Sequence, residues 1–286
     1  MNTIPSPHIT LNDLRSAKLG LVLGGGAARG FAHIGFLQEL DRAGLRPHCI
    51  AGCSIGAFVG AAYAGGDWAR FTDHVLKMGR GDLMSMADPV FPRHGLMDGD
   101  RVVEFLSSFM RVSRLEDCAP ALAVNAADVA TGEEVVFTSG PVLPAVRASI
   151  ALPGMFTPAW NEDRLLVDGG LINPLPVNIC RKMNADIVVA VDLNAQVLKA
   201  DIHLEQTKAA APGKMPNLFV LLFNSIYIMQ RTINLMRLKK EPPDFLIQPE
   251  LRDYSLMDFF KGPGCAEAGA RAARKFISEL SPAPGD

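Results

Sequence analysis

The sequence predicts an α/β protein folded as one domain. Short apolar runs alternate with helical periodicities from Lys18 onward, and the first two runs each end in a glycine-bearing turn that opens a helix. A length of 286 residues allows one large domain or two small ones. The unbroken alternation favours one, over 18–280, between short tails of 1–17 and 281–286. No internal repeat is visible.

Lys18 to Leu23 reads as the first strand. It runs into Gly24-Gly25-Gly26-Ala27-Ala28-Arg29-Gly30, after which Phe31 to Arg42 carries helical spacing through Ile34, Phe36, Leu37 and Leu40. Such a loop exposes successive backbone N–H groups, and glycine lets a ligand approach the main chain. Two ligands compete: a dinucleotide pyrophosphate, or the oxyanion of an acyl intermediate. A dinucleotide fingerprint wants glycine at the sixth position and an acidic residue at the end of the second strand. Here the sixth position is Arg29, and the second strand runs into Gly52-Cys53-Ser54 with no carboxylate. The oxyanion reading is favoured.

Gly52-Cys53-Ser54-Ile55-Gly56 is a G-x-S-x-G pentapeptide between an apolar run, Pro47 to Ala51, and a small-residue helix, Ala57 to Ala64. It places Ser54 on a tight strand-to-helix turn, with Oγ clear of the sheet and helix N–H groups beside it. The pattern also arises in ordinary strand-turn-helix sequence, so its partners must decide. Cys53, at the variable position, reads as a small buried packing residue.

A nucleophilic serine needs a base. Of the six histidines (His8, His33, His48, His74, His94 and His203), only His203 follows the later strands, and its polar, alanine-rich surroundings read as a solvated insertion. The better candidate is Asp168, which ends the run Leu165-Leu166-Val167, precedes Gly169-Gly170 and lies 114 residues beyond Ser54. The reference pKa of aspartate is about 3.9, so a lone aspartate base requires burial to raise its basicity and N–H donors to hold the serine oxygen. An isolated Asp-Gly-Gly is more often a turn whose carboxylate accepts backbone N–H groups. Three motifs together favour the base.

With these residues in view, the chain resembles the patatin-like phospholipases, of the bacterial type related to neuropathy target esterase. The matching blocks are Leu23 to Gly35, Gly52 to Gly56, Ala148 to Gly154 and Val167 to Pro176, and the resemblance covers most of the sequence. It implies a three-layer α/β/α domain with a central, mostly parallel sheet. It also implies a serine-aspartate dyad without histidine: Ser54 as nucleophile, Asp168 as base, and main-chain amides of Gly25, Gly26 and Ala27 as oxyanion hole. Gly30, Gly52, Gly56, Gly169 and Gly170 fall on supporting positions of the same motifs. Many members have a third glycine where this chain has Ala27, which bears on the loop contour. Arg29 matches a basic loop residue, read as bracing the loop rather than touching a substrate phosphate. The scheme is acyl transfer from a lipid or lysophospholipid ester to Ser54, then to water, with no metal and no cofactor. An acyltransferase using the same acyl-enzyme, and a regulatory or adaptor protein retaining the fold, are the alternatives.

The remaining elements follow in order. Asp67 to Met78 and Asp100 to Met110 read as helices. Between them Gly79 to Gly99 is a candidate lid whose Met84, Met86, Val90, Phe91, Leu96 and Met97 read first as cover for the core and second as contacts for an acyl chain. Pro120 to Asp128, a Thr131-Gly132 turn and Glu134 to Phe137 form a hairpin. Pro141 to Ile150 is helical, Ile187 to Leu193 is a buried strand, and Ala195 to Pro216 is loop. Leu218 to Met229 is nearly all apolar but too short to span a bilayer, and it continues helically toward Lys240. In its later half Ile226, Met229, Ile233 and Met236 stand opposite Gln230, Arg231, Arg237 and Lys239, so packing inward is favoured and membrane contact comes second. Asp244 to Gln248 is the last strand, and Ala266, Ala270, Ala273, Ile277 and Leu280 mark a docked helix.

Composition narrows the partners. Twenty-eight basic against 30 acidic residues, with no basic run interleaved with aromatics, argues against nucleic acid. Five scattered cysteines suggest a reducing compartment, and the first 17 residues lack a secretory pattern, so a cytoplasmic location is expected, with peripheral contact at the inner membrane face as an option. The residues leave the oligomeric state open.

Overall fold

The computed structural model describes residues 9–90, 95–195 and 218–280. His8, His94 and His203, Phe91, the loop expected beyond Ala195 and the 281–286 tail lie outside the described residues. The first helix, α1 (Leu11–Ser16), falls in the stretch expected as a tail. Thr10 caps it in a reciprocal box with Asp13, and Leu14, 1% exposed, anchors it in the main core, so the folded unit begins before Lys18.

An eight-stranded sheet organises the rest. Its parallel half is built from β1 (Leu19–Leu23), β2 (Cys49–Cys53), β7 (Ile187–Val191), β8 (Phe245–Ile247) and β3 (Ala121–Asp128), in the order β3-β2-β1-β7-β8. These strands are apolar on both faces because helices cover both. Leu21, Leu23, Ile50 and Val189 enter the larger core, under α2 (Phe31–Arg42), α3 (Ile55–Gly65) and α10 (Gly262–Glu279). Val22, Cys49, Ala51, Val188 and Ala190 face the smaller one, under α8 (Val177–Lys182). The alternation of side chains along each strand splits one sheet into two cores, which makes three layers.

Between β2 and β3 lie α4 (Trp68–Lys77), α5 (Arg80–Ser85) and α6 (Asp100–Ser107). The candidate lid thus holds a short helix. The hairpin mate β4 (Glu134–Phe137) pairs antiparallel with β3, then α7 (Val142–Ser149) leads to β5 (Ala159–Asn161) and β6 (Arg164–Asp168).

The path of β6 decides where the site is. Asn125 pairs with Cys53 on one edge of β3 and with Val136 on the other, and Ala126 pairs with Val135 and Asp168. Strand β6 therefore takes over the edge that β2 has just left. It runs antiparallel to β3, so the C-terminal ends of β2 and β6 meet head to head, one residue apart along β3.

The helix α9 (Leu218–Lys240) departs from expectation. Gln230 and Asn234 are buried at 4% and 5%, while Met229 and Met236 are 52% and 68% exposed. Of the expected stripe Ile226 packs inward, 3% exposed, and the two methionines do not; Gln230 turns inward because it covers a polar surface. The amide of Gln230 lies against Gly170, where a Cβ would sit 2.5 Å from its Nε2 and 2.9 Å from the Asp168 carboxylate.

Candidate active site

Ser54 occupies the single residue between β2 and α3, with φ 53° and ψ −123°. That conformation costs a non-glycine residue on the order of 1–3 kcal/mol and persists only where the surroundings enforce it. Here the enforcement is close packing. A Cβ on Gly56 would run into the carbonyl of Leu23, and one on Gly30 into the Ile55 side chain, so both positions require glycine for the glycine loop and the elbow to touch. The Ser54 N–H donates to Ser149 Oγ at 2.8 Å, which fixes the peptide at the turn. Gly52 lies beneath α3, against Ala57.

The Ser54 hydroxyl donates to Asp168 Oδ2 at 2.6 Å. The other carboxylate oxygen, Oδ1, accepts the Gly170 N–H at 2.7 Å, and the Asp168 N–H donates to Ala151 at 3.0 Å. Asp168 is 1% exposed. Burial pushes its pKa up to about 6, against the lowering effect of the bonds from Ser54 and Gly170. Gly169 packs on Asn125 of β3. Cys53 is fully buried, and burial, with the charges of Asp168 and Glu134, holds its thiol well above the ordinary range. It packs, as expected.

The glycine loop is pinned by its carbonyl groups. The buried imidazole of His33 bonds the Gly24 carbonyl at 2.8 Å through Nε2, and Asn194 Nδ2 donates to the Gly25 carbonyl at 3.0 Å. In a trans peptide the carbonyl and the following N–H point opposite ways, so holding the Gly25 carbonyl orients the Gly26 N–H. Gly26 in turn accepts from Arg29 N at 3.1 Å, which orients the N–H of Ala27. Burial holds the His33 pKa at about 4, so the ring is neutral. Of the three amides expected to face an oxyanion, Gly25 is engaged: its N–H donates to the Pro174 carbonyl at 3.1 Å. Gly26 and Ala27 have no backbone acceptor among the described residues. Ala27 has φ 47°, the conformation that glycine adopts readily. Arg29 is 6% exposed and donates Nε to the Tyr254 carbonyl at 2.8 Å, a bracing contact.

Ser54 opens into a cavity of about 360 Å³. Its walls come from α3 (Phe58, Val59), the Ile150–Phe156 segment and the lid. Among the described lining residues Ser54 alone has a polar side-chain group. Of the six apolar lid residues, Met84, Met86 and Met97 line the cavity and Val90 and Leu96 do not.

Sequence reasoning missed Ser149, Asn194 and the Pro174 carbonyl. Ser149 and Pro174 sit in matched blocks and could have been flagged there. Asn194 has no local signature, because it reaches the loop from the end of β7, which pairs with β1.

An elbow serine bonded to a buried carboxylate, under a loop with two amides that have no backbone acceptor among the described residues, on a mostly parallel sheet defines the class to which this molecule belongs structurally. Comparison with known proteins agrees. A family model described as Patatin-like phospholipase matches residues 21–181, more than half of the sequence, and the chain belongs to that family. An uncharacterized NTE family protein of Mycobacterium tuberculosis is 35% identical over 192 residues, covering 67% of this chain and 53% of that protein. A second from the same organism is 32% identical, over 90% of this chain and 46% of its own length. Lysophospholipase NTE1 of Yarrowia lipolytica is 26% identical, across 93% of this chain but 20% of that protein. The chain thus spans about half the length of its bacterial relatives and a fifth of the fungal one. Among solved structures, VipD from Legionella pneumophila aligns over 96% of this chain and 68% of its own, with a TM-score of 0.51 and 14% identity, a likeness of fold.

Proposed function

We propose that this protein hydrolyses carboxylic esters of lipids or lysophospholipids through a covalent acyl-enzyme on Ser54. The observation that carries the reading is the apolar chamber in which, among the described lining residues, the only polar side-chain group is a hydroxyl bonded to a buried carboxylate. An aliphatic acyl chain fills such a space, and its ester carbonyl comes to rest at Ser54.

Each step follows from groups already placed. Asp168, ionised, takes the Ser54 proton as Oγ bonds to the ester carbonyl carbon. The carbonyl π electrons move to oxygen, and the N–H groups of Gly26 and Ala27 receive the charge. Asp168 returns the proton to the departing alkoxide, releasing alcohol or lysolipid. Water then attacks the acyl-enzyme with the same carboxylate as base, and Ser54 Oγ leaves with the proton. The raised pKa of Asp168 supports this role, because a carboxylate poised near 6 is a stronger base than one near its reference value and is still mostly ionised at neutral pH. Lysophospholipase function in the NTE1 relatives supports the substrate class.

The test is turnover of p-nitrophenyl esters of graded chain length and of lysophosphatidylcholine, with Ser54→Ala as control. A fluorophosphonate should label Ser54 in the parent and nothing in the variant. Absence of both turnover and labelling rules the reading out. Faster acyl loss to an added alcohol than to water would reassign the chain as a transferase.

A further inference from the structure

Helix α9 carries an apolar stripe on its outer face in addition to the apolar side chains it packs inward. Its outward stripe, recurring every three or four residues from Leu218 to Met236, includes Leu221, Ile228, Met229 and Leu235, with exposures from 45% at Ile228 to 74% at Leu218. Two polar residues interrupt it, and neither offers its hydroxyl hydrogen to solvent. Ser225 Oγ donates to the Leu221 carbonyl at 2.8 Å and Thr232 Oγ1 to that of Ile228 at 2.9 Å. The stripe is about 27 Å long at 1.5 Å per residue. Charge on this helix is one-sided too. It holds Arg231, Arg237, Lys239 and Lys240 and no acidic residue, in a chain whose net charge is −2.

We infer that this face is a docking surface for an anionic lipid bilayer, with α9 lying in the membrane plane, its apolar stripe in the acyl boundary and its basic end among headgroups. The chemistry fits a lipid surface from both sides: apolar area to be removed from water, and cations to meet phosphate. Crossing the bilayer is excluded for this helix, since among the described residues none is long and apolar enough. A second copy fits worse. A two-fold pair with parallel helices sets like charges side by side, and an antiparallel pair lays Lys239 and Lys240 against the apolar Leu218 end of the partner helix. Position adds a further argument. On its inner side α9 packs Phe223 and Ile226 against Leu152, Met155 and Phe156, and those three line the cavity at Ser54. Docking there sets the chamber wall beside the lipid.

The test separates docking from catalysis. The full chain carrying Ser54→Ala is mixed with phosphatidylcholine vesicles with and without phosphatidylglycerol, and bound protein is measured by sedimentation. Binding to the anionic vesicles is expected, weakening as salt rises. Adding Met229→Glu with Met236→Glu should weaken it by about tenfold or more. The pair Met229→Gln and Met236→Gln, which adds no charge, should weaken it less and guards against a folding defect. Lys239→Gln with Lys240→Gln should remove the preference for phosphatidylglycerol. No binding to either vesicle, or binding indifferent to the glutamates, overturns the inference. So does a dimer in sedimentation velocity that the glutamates dissolve while vesicle binding is absent. On the Ser54 background the methionine variants should hydrolyse soluble p-nitrophenyl butyrate at the parent rate. A parent inert toward that ester would count against the proposed hydrolase and leave the vesicle result standing.

Discussion

Ser54 and Asp168 meet end to end along β3, and what prepares each for chemistry is different. On the Ser54 side the preparation is in the backbone: a residue at φ 53°, enforced by the contact of Gly30 with Ile55 and of Gly56 with Leu23. On the Asp168 side the backbone is ordinary, with φ −48° and ψ 128°, and the preparation is electrostatic, a carboxylate 1% exposed with two donors among the described residues. Geometric strain can be relieved by one substitution nearby. The cost of a buried charge is spread over everything that excludes water, so it is changed by removing the charge itself.

The largest effects should break both sides at once. Ser54→Ala and Asp168→Asn should each lower ester turnover by about a thousand-fold or more, because neither group has a substitute in the scheme; a residual rate within tenfold of the parent would refute the pairing. Gly56→Ala should come next, as a Cβ there meets main-chain carbonyl that cannot yield: a loss of about 3 kcal/mol or more, read from the denaturation midpoint.

The electrostatic side is sharpened by pH. Deprotonated Asp168 is the base, so kcat/KM should rise with pH through about 6. Stability should move the other way. The folded-state pKa of about 6 lies above the reference 3.8, so the native protein holds a proton that the unfolded chain releases between those values. The stabilisation from that proton is complete below about pH 4 and lost as pH rises past 6. Asp168→Asn removes the loss and should raise stability at pH 8 by up to about 3 kcal/mol, with the gain vanishing below pH 4; urea titrations at both pH values would check it. The smallest effect belongs to the geometric side. Ala27→Gly relieves a left-handed alanine and should stabilise by a few tenths to about 1 kcal/mol at little cost in turnover.

Legibility in the sequence followed the range of the forces. Ser54 could be read because strand, turn and helix are adjacent in the chain, and each glycine of the elbow answers a clash within a few residues or one strand away. The hairpin of β3 and β4 and the helices α2, α4 and α7 could be read for the same reason. Asp168 could be read as an ending, a strand breaking into two glycines, but not as a location, since the antiparallel entry of β6 is fixed by pairing with Ala126, Ala127 and Asp128. Helix α9 is only partly legible: Ile226 packs inward as its stripe predicts while Met229 and Met236 do not, because periodicity reports two faces without saying which is inside. An apolar stripe is normally the buried one, and here Gln230 and Asn234 take the inner side, with Gln230 against the polar surroundings of Asp168.

By itself, then, the amino-acid sequence determined the strand-turn-helix units, the residue at each turn able to attack or accept a proton, and the apolar content of the walls. These depend on sterics and propensity over a few residues. Tertiary structure alone decided that β6 lies end to end with β2, that Pro174 occupies the Gly25 amide while Asn194 orients the next, and that α9 leaves an apolar stripe on the outside. Those outcomes depend on which distant surfaces meet, and burial, charge and hydrogen-bond satisfaction are set only when they do.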